Sequence, residues 1–194
     1  VHYEIGARGA LGSLAYEAAL FQADVDDQLV PFEDPAVPGR RFFRNAGRSR
    51  HRGVELGATW RPANALSIRG AFTMAGYEYV DYAVDGERFD GNTIPGVPAR
   101  FLSATVTFQP AGTLGVALDQ PLSAETWADD ANTARADGWA STDVRAWALV
   151  RLGGAGFRPF ASVRNLFDKN YVGSVVVNAA AGRYYEPAVG RWVV

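Results

Sequence analysis

Polar and apolar residues alternate along much of this chain with the period of a β-strand. In residues 54–60 the even-numbered positions are apolar, and the odd-numbered positions are Glu55, Gly57 and Thr59. Residues 102–108 and 144–152 alternate in the same way, although Trp147 and Leu149 fall on the otherwise polar face of the second segment. Such alternation predicts half-buried strands. A soluble sheet and a membrane barrel with a wet lumen both have this pattern.

Nine strands are predicted, and several are longer than the five or six residues common in globular proteins. They are Val1–Gly9, Leu14–Val30, Gly47–Arg61, Leu66–Tyr82, Val97–Gln109, Thr113–Leu122, Trp139–Leu152, Phe157–Val172 and one starting near Val189. Several exceed the roughly 9–11 residues that a tilted strand needs to cross a bilayer. Their length favours a large tilted barrel.

The connections between the strands alternate between short and long. Short turns are predicted at Ala10–Ser13, Pro62–Ala65, Pro110–Gly112 and Gly153–Gly156. Long, polar or Gly/Pro-rich connections are predicted at Pro31–Ala46, Ala83–Gly96, Ser123–Gly138 and Gly173–Ala188. Transmembrane barrels have short periplasmic turns and longer extracellular loops, so the alternation favours a barrel over a soluble meander.

Composition narrows the picture only in part. The 194 residues suffice for one sizeable all-β unit, and the absence of cysteine excludes a disulfide scaffold and a Cys-based zinc site. The net charge of -2 gives no reason to expect nucleic acid as a partner. No apolar run is long enough for a transmembrane helix. Five Trp, eight Tyr and eleven Phe suit the aromatic girdles of a barrel, but also a soluble β-sandwich.

Catalysis and cofactor binding have little support in the sequence. The two histidines, His2 and His51, form no metal-ligand spacing with a carboxylate, and there is no nucleotide-binding glycine motif. The acidic pairs Asp26-Asp27 and Asp129-Asp130 are expected to be solvated or to bridge calcium rather than to act as general acids. We therefore predict a protein that is not an enzyme, with no catalytic residue, no cofactor and no metal site.

Four segments carry a family resemblance. They are Asn45–Leu56 (an N-x-G…G-V-E-L strand), Asn92–Pro98 (containing IPGVP), Val163–Tyr171 (containing NLFD and a later Tyr) and Gly182–Arg191. In this order they resemble the C-terminal part of the barrel of TonB-dependent receptors, which import iron-siderophore complexes and similar chelates. The third segment resembles the family's penultimate strand, and the fourth resembles its last outer loop.

The resemblance implies an all-β, antiparallel transmembrane barrel of 22 strands in the outer membrane of a Gram-negative bacterium. Residues 1–194 would supply about its last nine strands, with the N-terminal plug domain absent. The implied partners are outer-membrane lipid and lipopolysaccharide, TonB through the plug, and an iron chelate. The family's aromatic last residue is absent, because the chain stops at Val194. Two alternatives stay open: a passive porin-like barrel and a soluble all-β binding domain.

Two groups of site residues follow from the resemblance. Aromatic and arginine side chains of the outer loops are expected to contact the chelate, with loop packing as the alternative for each: Tyr77, Tyr79, Arg88, Trp127, Arg183, Tyr184 and Tyr185. The residues of the NLFD segment are expected to be structural, with direct ligand contact as the alternative: Asn165, Leu166, Phe167, Asp168 and Tyr171. In that segment Asn165 and Asp168 can bond nearby backbone, and the two aromatic residues suit the membrane interface.

A cluster of arginines precedes the alternating segment 54–60. Arg48, Arg50 and Arg52 share the parity of Val54, so they are expected on the apolar face just above the lipid. Arginine binds phosphate through paired donors, which predicts contact with lipopolysaccharide. A solvated loop end is the alternative, and a β-bulge near Gly53 would reverse the facing.

Overall fold

The computed structural model describes residues 1–110 and 112–194 as antiparallel strands and one 3-10 turn at Ala180–Gly182. The first ten strands are β1 (His2–Leu11), β2 (Leu14–Asp26), β3 (Leu29–Glu33), β4 (Arg41–Asn45), β5 (Arg48–Ala63), β6 (Leu66–Asp81), β7 (Ala83–Val84), β8 (Glu87–Arg88), β9 (Arg100–Phe108) and β10 (Leu114–Ser123). The other ten are β11 (Thr126–Trp127), β12 (Arg135–Ala136), β13 (Trp139–Ala140), β14 (Asp143–Ala148), β15 (Val150–Leu152), β16 (Ala155–Phe157), β17 (Phe160–Arg164), β18 (Val172–Val175), β19 (Tyr185–Pro187) and β20 (Trp192–Val193). Ala111, inside the predicted turn Pro110–Gly112, lies outside the described residues.

Nine strands form one continuous sheet in the order β1-β2-β5-β6-β9-β10-β14-β17-β20, and β13 continues β14 along the edge of β10. All pairings are antiparallel, which confirms the predicted all-β, antiparallel class. The sheet is open: in the part of the chain that the structure describes, its first and last strands do not pair with each other. We call this sheet the wall.

One face of the wall is apolar and exposed. Residues that pair across neighbouring strands point to the same face. Leu56 of β5 pairs with Phe72 of β6, which pairs with Leu102 of β9, so these three side chains lie on this face. Leu56 is 45% exposed and Met74, two residues from Phe72, is 47% exposed. A contiguous exposed face of this kind marks a surface that meets another apolar phase or a partner.

The opposite, polar face carries Glu17, Glu55 and Thr105.

The irregular alternation near Trp147 is explained by the packing of its side chain on this polar face. The indole of Trp147 is buried on this face against Gly115 of β10, where a Cβ would collide with the ring. An aromatic residue therefore occupies a polar-face position because a glycine across the ladder leaves room for it.

Several predicted strands are longer than the observed ones, and for two of them the reason is identifiable. The second ends at Asp26, because Asp27 adopts a positive φ of 57° and the chain leaves the sheet for the β3–β4 hairpin. The eighth ends at Arg164, because Asn165 and Asp168 have φ of 49° and 51°. Such left-handed residues do not fit a strand. The seventh, Trp139–Leu152, is divided into β13, β14 and β15.

The long connections contain structure that the alternation did not predict. Each holds a small hairpin: β3–β4, β7–β8, β11–β12 and β18–β19. Because the wall strands alternate in direction, all four hairpins stand at one end of the wall and the short turns stand at the other. Within the described residues, no helix is long and apolar enough to cross a bilayer.

Candidate functional site at the loop end of the wall

The four long connections pack together at the end of the wall. We call residues 27–47, 82–99, 124–138 and 165–191 the loop cap. Its apolar centre is the main buried cluster of the molecule, formed together with the top of β6: Val30, Ala46, Tyr79, Tyr82, Phe89 and Ile94. The largest fully buried side chains lie at the loop end, because among the described residues no second layer packs against the strands below.

A buried carboxylate, Asp130, holds the loop cap together. Its two oxygens accept hydrogen bonds from the hydroxyls of Tyr79 and Tyr82, both at 2.8 Å. The side-chain amide of Asn178 donates to the same carboxylate at 2.9 Å, and its carbonyl accepts the backbone N–H of Asp130. Asn92 donates to the backbone carbonyl of Asp130. Burial, and next the Asp130 carboxylate, raise the pKa of Tyr82, so this phenol stays protonated as a donor.

Further bonds extend this network to the first connection and add a second link between the second and third. The amide of Asn178 also donates to the carbonyl of Pro31 at 3.0 Å. Asn132 bonds both backbone groups of Thr93, each at 2.8 Å. The four connections are thus linked through a few side chains, mostly Asp and Asn. These residues accept and donate to backbone that has no ladder partner.

The acidic pair Asp129-Asp130 is buried, so the expectation that it is solvated was wrong. Both residues are buried, and Asp129 accepts bonds from the backbone N–H groups of Thr133 and Ala134. Within the described residues, no group of three or more acidic, His or Cys side chains is placed to hold a metal ion. The sequence pattern gave no sign that Asp130 would meet two tyrosines, because they lie 51 and 48 residues away.

An ion pair closes the cap on one side. The guanidinium of Arg183 lies 2.9 Å from the carboxylate of Glu33, which also accepts the backbone N–H of Ala180. Burial alone would raise the pKa of Glu33, but the N–H groups of Ala180 and Gly39, together with Arg183, outweigh burial and lower it. The predicted chelate contact Arg183 therefore has an acidic partner within the protein.

The other predicted chelate contacts fall into different surroundings. Tyr79 is only 1% exposed and bonded to Asp130, so in this structure it packs the loop cap, which was the stated alternative. The guanidinium of Arg88 is exposed but pairs with Asp90 and Asp81. Tyr77 is half-buried and lies edge-on to His51, with ring centroids 5.2 Å apart.

Three further predicted contacts lie in neighbouring hairpins. Trp127 of β11 lies under the guanidinium of Arg135 at 5.5 Å. Tyr185 is exposed, and its hydroxyl donates to the carbonyl of the same arginine. Tyr184 is half-buried beside it, and burial is the main cause of its raised pKa. The structure thus brings Trp127 and Tyr185 together through Arg135 and leaves Arg88 apart.

Two aromatic residues that the sequence reasoning missed belong to the same end. Phe101 and Trp139 face the same serine, Ser123, from the two strands that flank β10. With Tyr77 they line a cleft on the polar face, below the loop cap. The alternation within each strand predicts which face Phe101 and Trp139 occupy. Only the register between the strands shows that they lie at the same height.

The NLFD segment is a turn that joins three strands. Asn165, 3% exposed, exchanges bonds with Lys169: its amide donates to the carbonyl and its oxygen accepts the N–H, both at 2.9 Å. The N–H of Asn165 donates to Asp143 at the start of β14, and that of Leu166 to the carbonyl of Thr142. Asp168 accepts the N–H of Arg191, just before β20. These bonds hold the turn against the start of β14 and the residue before β20.

The aromatic residues of this segment have different neighbours. Phe167 is 63% exposed, as a residue at a membrane interface would be. Tyr171 stacks on Trp139, with ring centroids 4.6 Å apart.

Arg48, Arg50 and Arg52 lie on the face of Val54 along β5, although the register between β5 and β6 shifts between Arg48 and Ser49. β2 and β5 pair without a shift from Asp26 opposite Arg48 to Leu14 opposite Trp60, so no bulge at Gly53 reverses the facing. Arg50 pairs with Asp24 at 2.8 Å, while Arg52 is exposed and lies 3.8 Å from Glu78. Arg48 is also exposed.

Comparison with known proteins identifies relatives. The model of the family described as "TonB dependent receptor-like, beta-barrel" matches residues 1–166. The ferrioxamine receptor of Yersinia enterocolitica is 30% identical over 166 residues, which is 81% of this chain and 21% of that protein. The ferrichrome outer membrane transporter/phage receptor of Escherichia coli K12 is 30% identical over 145 residues, or 72% of this chain and 19% of that protein.

Solved structures have the same fold. The ferric citrate transporter FecA superposes with a TM-score of 0.77 at 21% identity, over 99% of this chain and 29% of its own. The siderophore receptor PiuA of Acinetobacter baumannii gives 0.75 at 24% identity, over 99% of this chain and 27% of its own. This chain spans about a fifth of the length of the curated relatives it matches. By their names, these proteins are receptors and transporters rather than enzymes.

Proposed function

The chain belongs to the TonB-dependent receptor β-barrel family, and from that premise we propose that it forms part of the wall and outer loops of an outer-membrane receptor for energised uptake of an iron chelate. The observation that carries the proposal is the family match over residues 1–166. The complete barrel would have 22 strands and a plug domain inside it. The nine strands of the wall would be its C-terminal part.

The two faces of the wall support a place in the outer membrane. An apolar face that is exposed on neighbouring strands suits lipid, and a polar face suits a wet lumen. In this arrangement the short turns face the periplasm and the loop cap faces the outside. A soluble all-β domain would leave the same apolar face against water, which disfavours that alternative.

Transport in this proposal needs no bond chemistry from the chain. A chelate binds at the mouth, TonB acts on the plug, and the chelate passes into the periplasm. The wall keeps the mouth in shape while the plug changes, since the Asp130 network fixes the loop cap to the top of β6. TonB reaches this chain only through the plug.

Among the predicted chelate contacts, the structure favours the ones with free aromatic surface. We propose that Tyr77, Trp127, Tyr184 and Tyr185 contact the chelate. Tyr79 is buried, and Arg88 and Arg183 already have carboxylate partners, so we assign these three to the loop cap itself.

We also propose that the arginine cluster contacts lipopolysaccharide. The exposed Arg48 and Arg52 stand at the upper edge of the apolar face, where lipid phosphates would lie. Arg50 is already paired with Asp24, so we do not assign it to phosphate binding.

The test is uptake of a radioactive iron chelate by cells that lack their own receptors and express the full-length parent. We expect uptake that disappears when TonB is deleted or the proton gradient is collapsed. A receptor-free strain is the background control. Uptake that persists without TonB would identify a passive barrel and contradict the proposal.

A further inference from the structure

A cleft of about 470 Å³ lies between the polar face of the wall and β18 of the loop cap. Its back is one cross-strand row: Thr73 faces Phe101, Phe101 faces Ser123, and Ser123 faces Trp139. Four strands thus present one side chain each at the same height. The backbone ladder holds this row, and the volume falls in the range of roughly 300–1,000 Å³ that is usual for small-molecule sites.

The lining of the cleft is mainly apolar and includes three aromatic side chains. Phe101, Trp139 and Tyr77 provide three rings. Tyr171 stacks on Trp139 with an interplanar angle of 23°, and His51 meets the edge of Tyr77. Two of the three rings are therefore held by partners outside the lining. Rings fixed in this way need little ordering when a ligand arrives, which favours binding.

The charge of the cleft is the second observation. Among the described residues, its lining contains one carboxylate, the exposed Asp137, and no Lys, Arg or His. The neighbouring guanidiniums of the loop cap already have acidic partners. Arg183 pairs with Glu33 at 2.9 Å, and Arg135 with Glu125 at 3.1 Å. An anionic group in the cleft would lose water and gain no opposite charge.

From these observations we infer that the cleft binds an iron chelate without net negative charge, through its apolar or aromatic part, and that Asp137 discriminates against polycarboxylate chelates. The inference rests on the proposed uptake function and names the class of substrate. Ring faces give favourable contact with uncharged groups and with cations. Asp137 adds repulsion toward carboxylates.

The experiment compares two probes on the purified full-length parent: an uncharged ferric trihydroxamate and ferric citrate. Binding is followed by quenching of tryptophan fluorescence, and checked with radioactive iron because Trp139 itself contributes to the signal. We expect the trihydroxamate to bind at least tenfold more tightly. Trp139→Ala should weaken its binding about tenfold, the scale of one lost ring contact with its buried surface.

Two further variants separate the cleft from general damage. Trp60→Ala removes a tryptophan from the apolar face and should leave both affinities within about twofold. Asp137→Asn should strengthen the binding of ferric citrate several-fold and leave the trihydroxamate unchanged. Heat-modifiable gel mobility checks folding. Trp139→Phe keeps an aromatic ring and should keep most of the affinity, so it tests the ring contact even where Trp139→Ala does not fold.

The outcomes distinguish this inference from the function on which it rests. Tighter binding of ferric citrate, or unchanged trihydroxamate binding in folded Trp139→Ala, would overturn the inference while TonB-dependent uptake stands. Absence of binding for both probes together with TonB-independent uptake would overturn the proposed function and the inference with it.

Discussion

The wall and the loop cap meet one requirement, hydrogen bonds for buried backbone, in different ways. In the wall, hydrogen bonds between neighbouring strands satisfy the backbone: β2 and β5 pair continuously over thirteen positions. The side chains are therefore not needed for backbone bonding and can face either side of the sheet. In the cap several hairpin strands have only two residues, and side chains such as Asp130 and Asn178 complete the bonding. The wall therefore depends on which face a residue occupies, whereas the cap depends on the identity of a few residues.

The largest expected effect comes from placing a charge on the apolar face. Phe72→Arg puts a guanidinium where we propose hydrocarbon, at a cost of about 2–4 kcal/mol near the bilayer midplane. Ala71→Arg, its neighbour on the polar face, should be mild because its side chain is exposed on that face. The free energy of unfolding of the full-length parent in lipid measures both. Equal damage from the two variants would contradict our assignment of the faces.

A smaller and local effect is expected in the loop cap. Asp130→Asn replaces charge-assisted bonds from Tyr79 and Tyr82 by neutral ones, at a cost on the order of 1–3 kcal/mol. Amide hydrogen exchange of the full-length parent should become faster across the cap and stay unchanged in the wall. Asp85→Asn, in the exposed turn of β7–β8, is the matched control. Faster exchange throughout the wall as well would show that the cap and the wall do not behave separately.

The smallest expected effect is a dependence on pH. The folded protein lowers the pKa of Glu33, so the bonds of its carboxylate stabilise the cap above the ordinary glutamate pKa of about 4.3. That contribution is lost as the pH falls through the lowered pKa. Protection of the Ala180 N–H from hydrogen exchange should be constant near neutral pH and decline below about pH 4. Glu33→Gln should remove this decline, and a decline that survives the substitution would assign it to another group.

Much of the wall could be predicted from the sequence because apolar and polar residues alternate regularly along its strands. The position of Leu56 or Phe72 follows from parity alone, and all nine strands were expected. The strand ends were less predictable, since they depend on residues such as Asp27 and Asn165 taking a left-handed conformation that Asp and Asn permit but do not require.

The loop cap could not be predicted in this way, because its contacts join distant residues without a period. Asn178 reaches Pro31 across 147 positions. Tyr77 and Tyr79 share a face and looked equivalent, yet Tyr79 is buried against Asp130 and Tyr77 lines the cleft. The resemblance to a family identified this region as the loops but did not show which side chains hold it together. The hydrogen bonds of Asn165 and Asp168 were easier to predict, because Asn and Asp side chains at a turn commonly bond nearby backbone.

The most direct test of the account is the side of the membrane on which each end of the wall lies. Single cysteines at Ser13 and Asn64 mark the short turns, and cysteines at Glu87 and Ala131 mark the loop cap; all four positions are exposed. They are introduced into a full-length parent with no other accessible cysteine, and intact cells are treated with a membrane-impermeant thiol reagent. We predict labelling at Glu87 and Ala131, and labelling at Ser13 and Asn64 only after the cells are opened. The reverse pattern, or equal labelling of both ends on intact cells, would contradict a transmembrane wall with its loop cap outside.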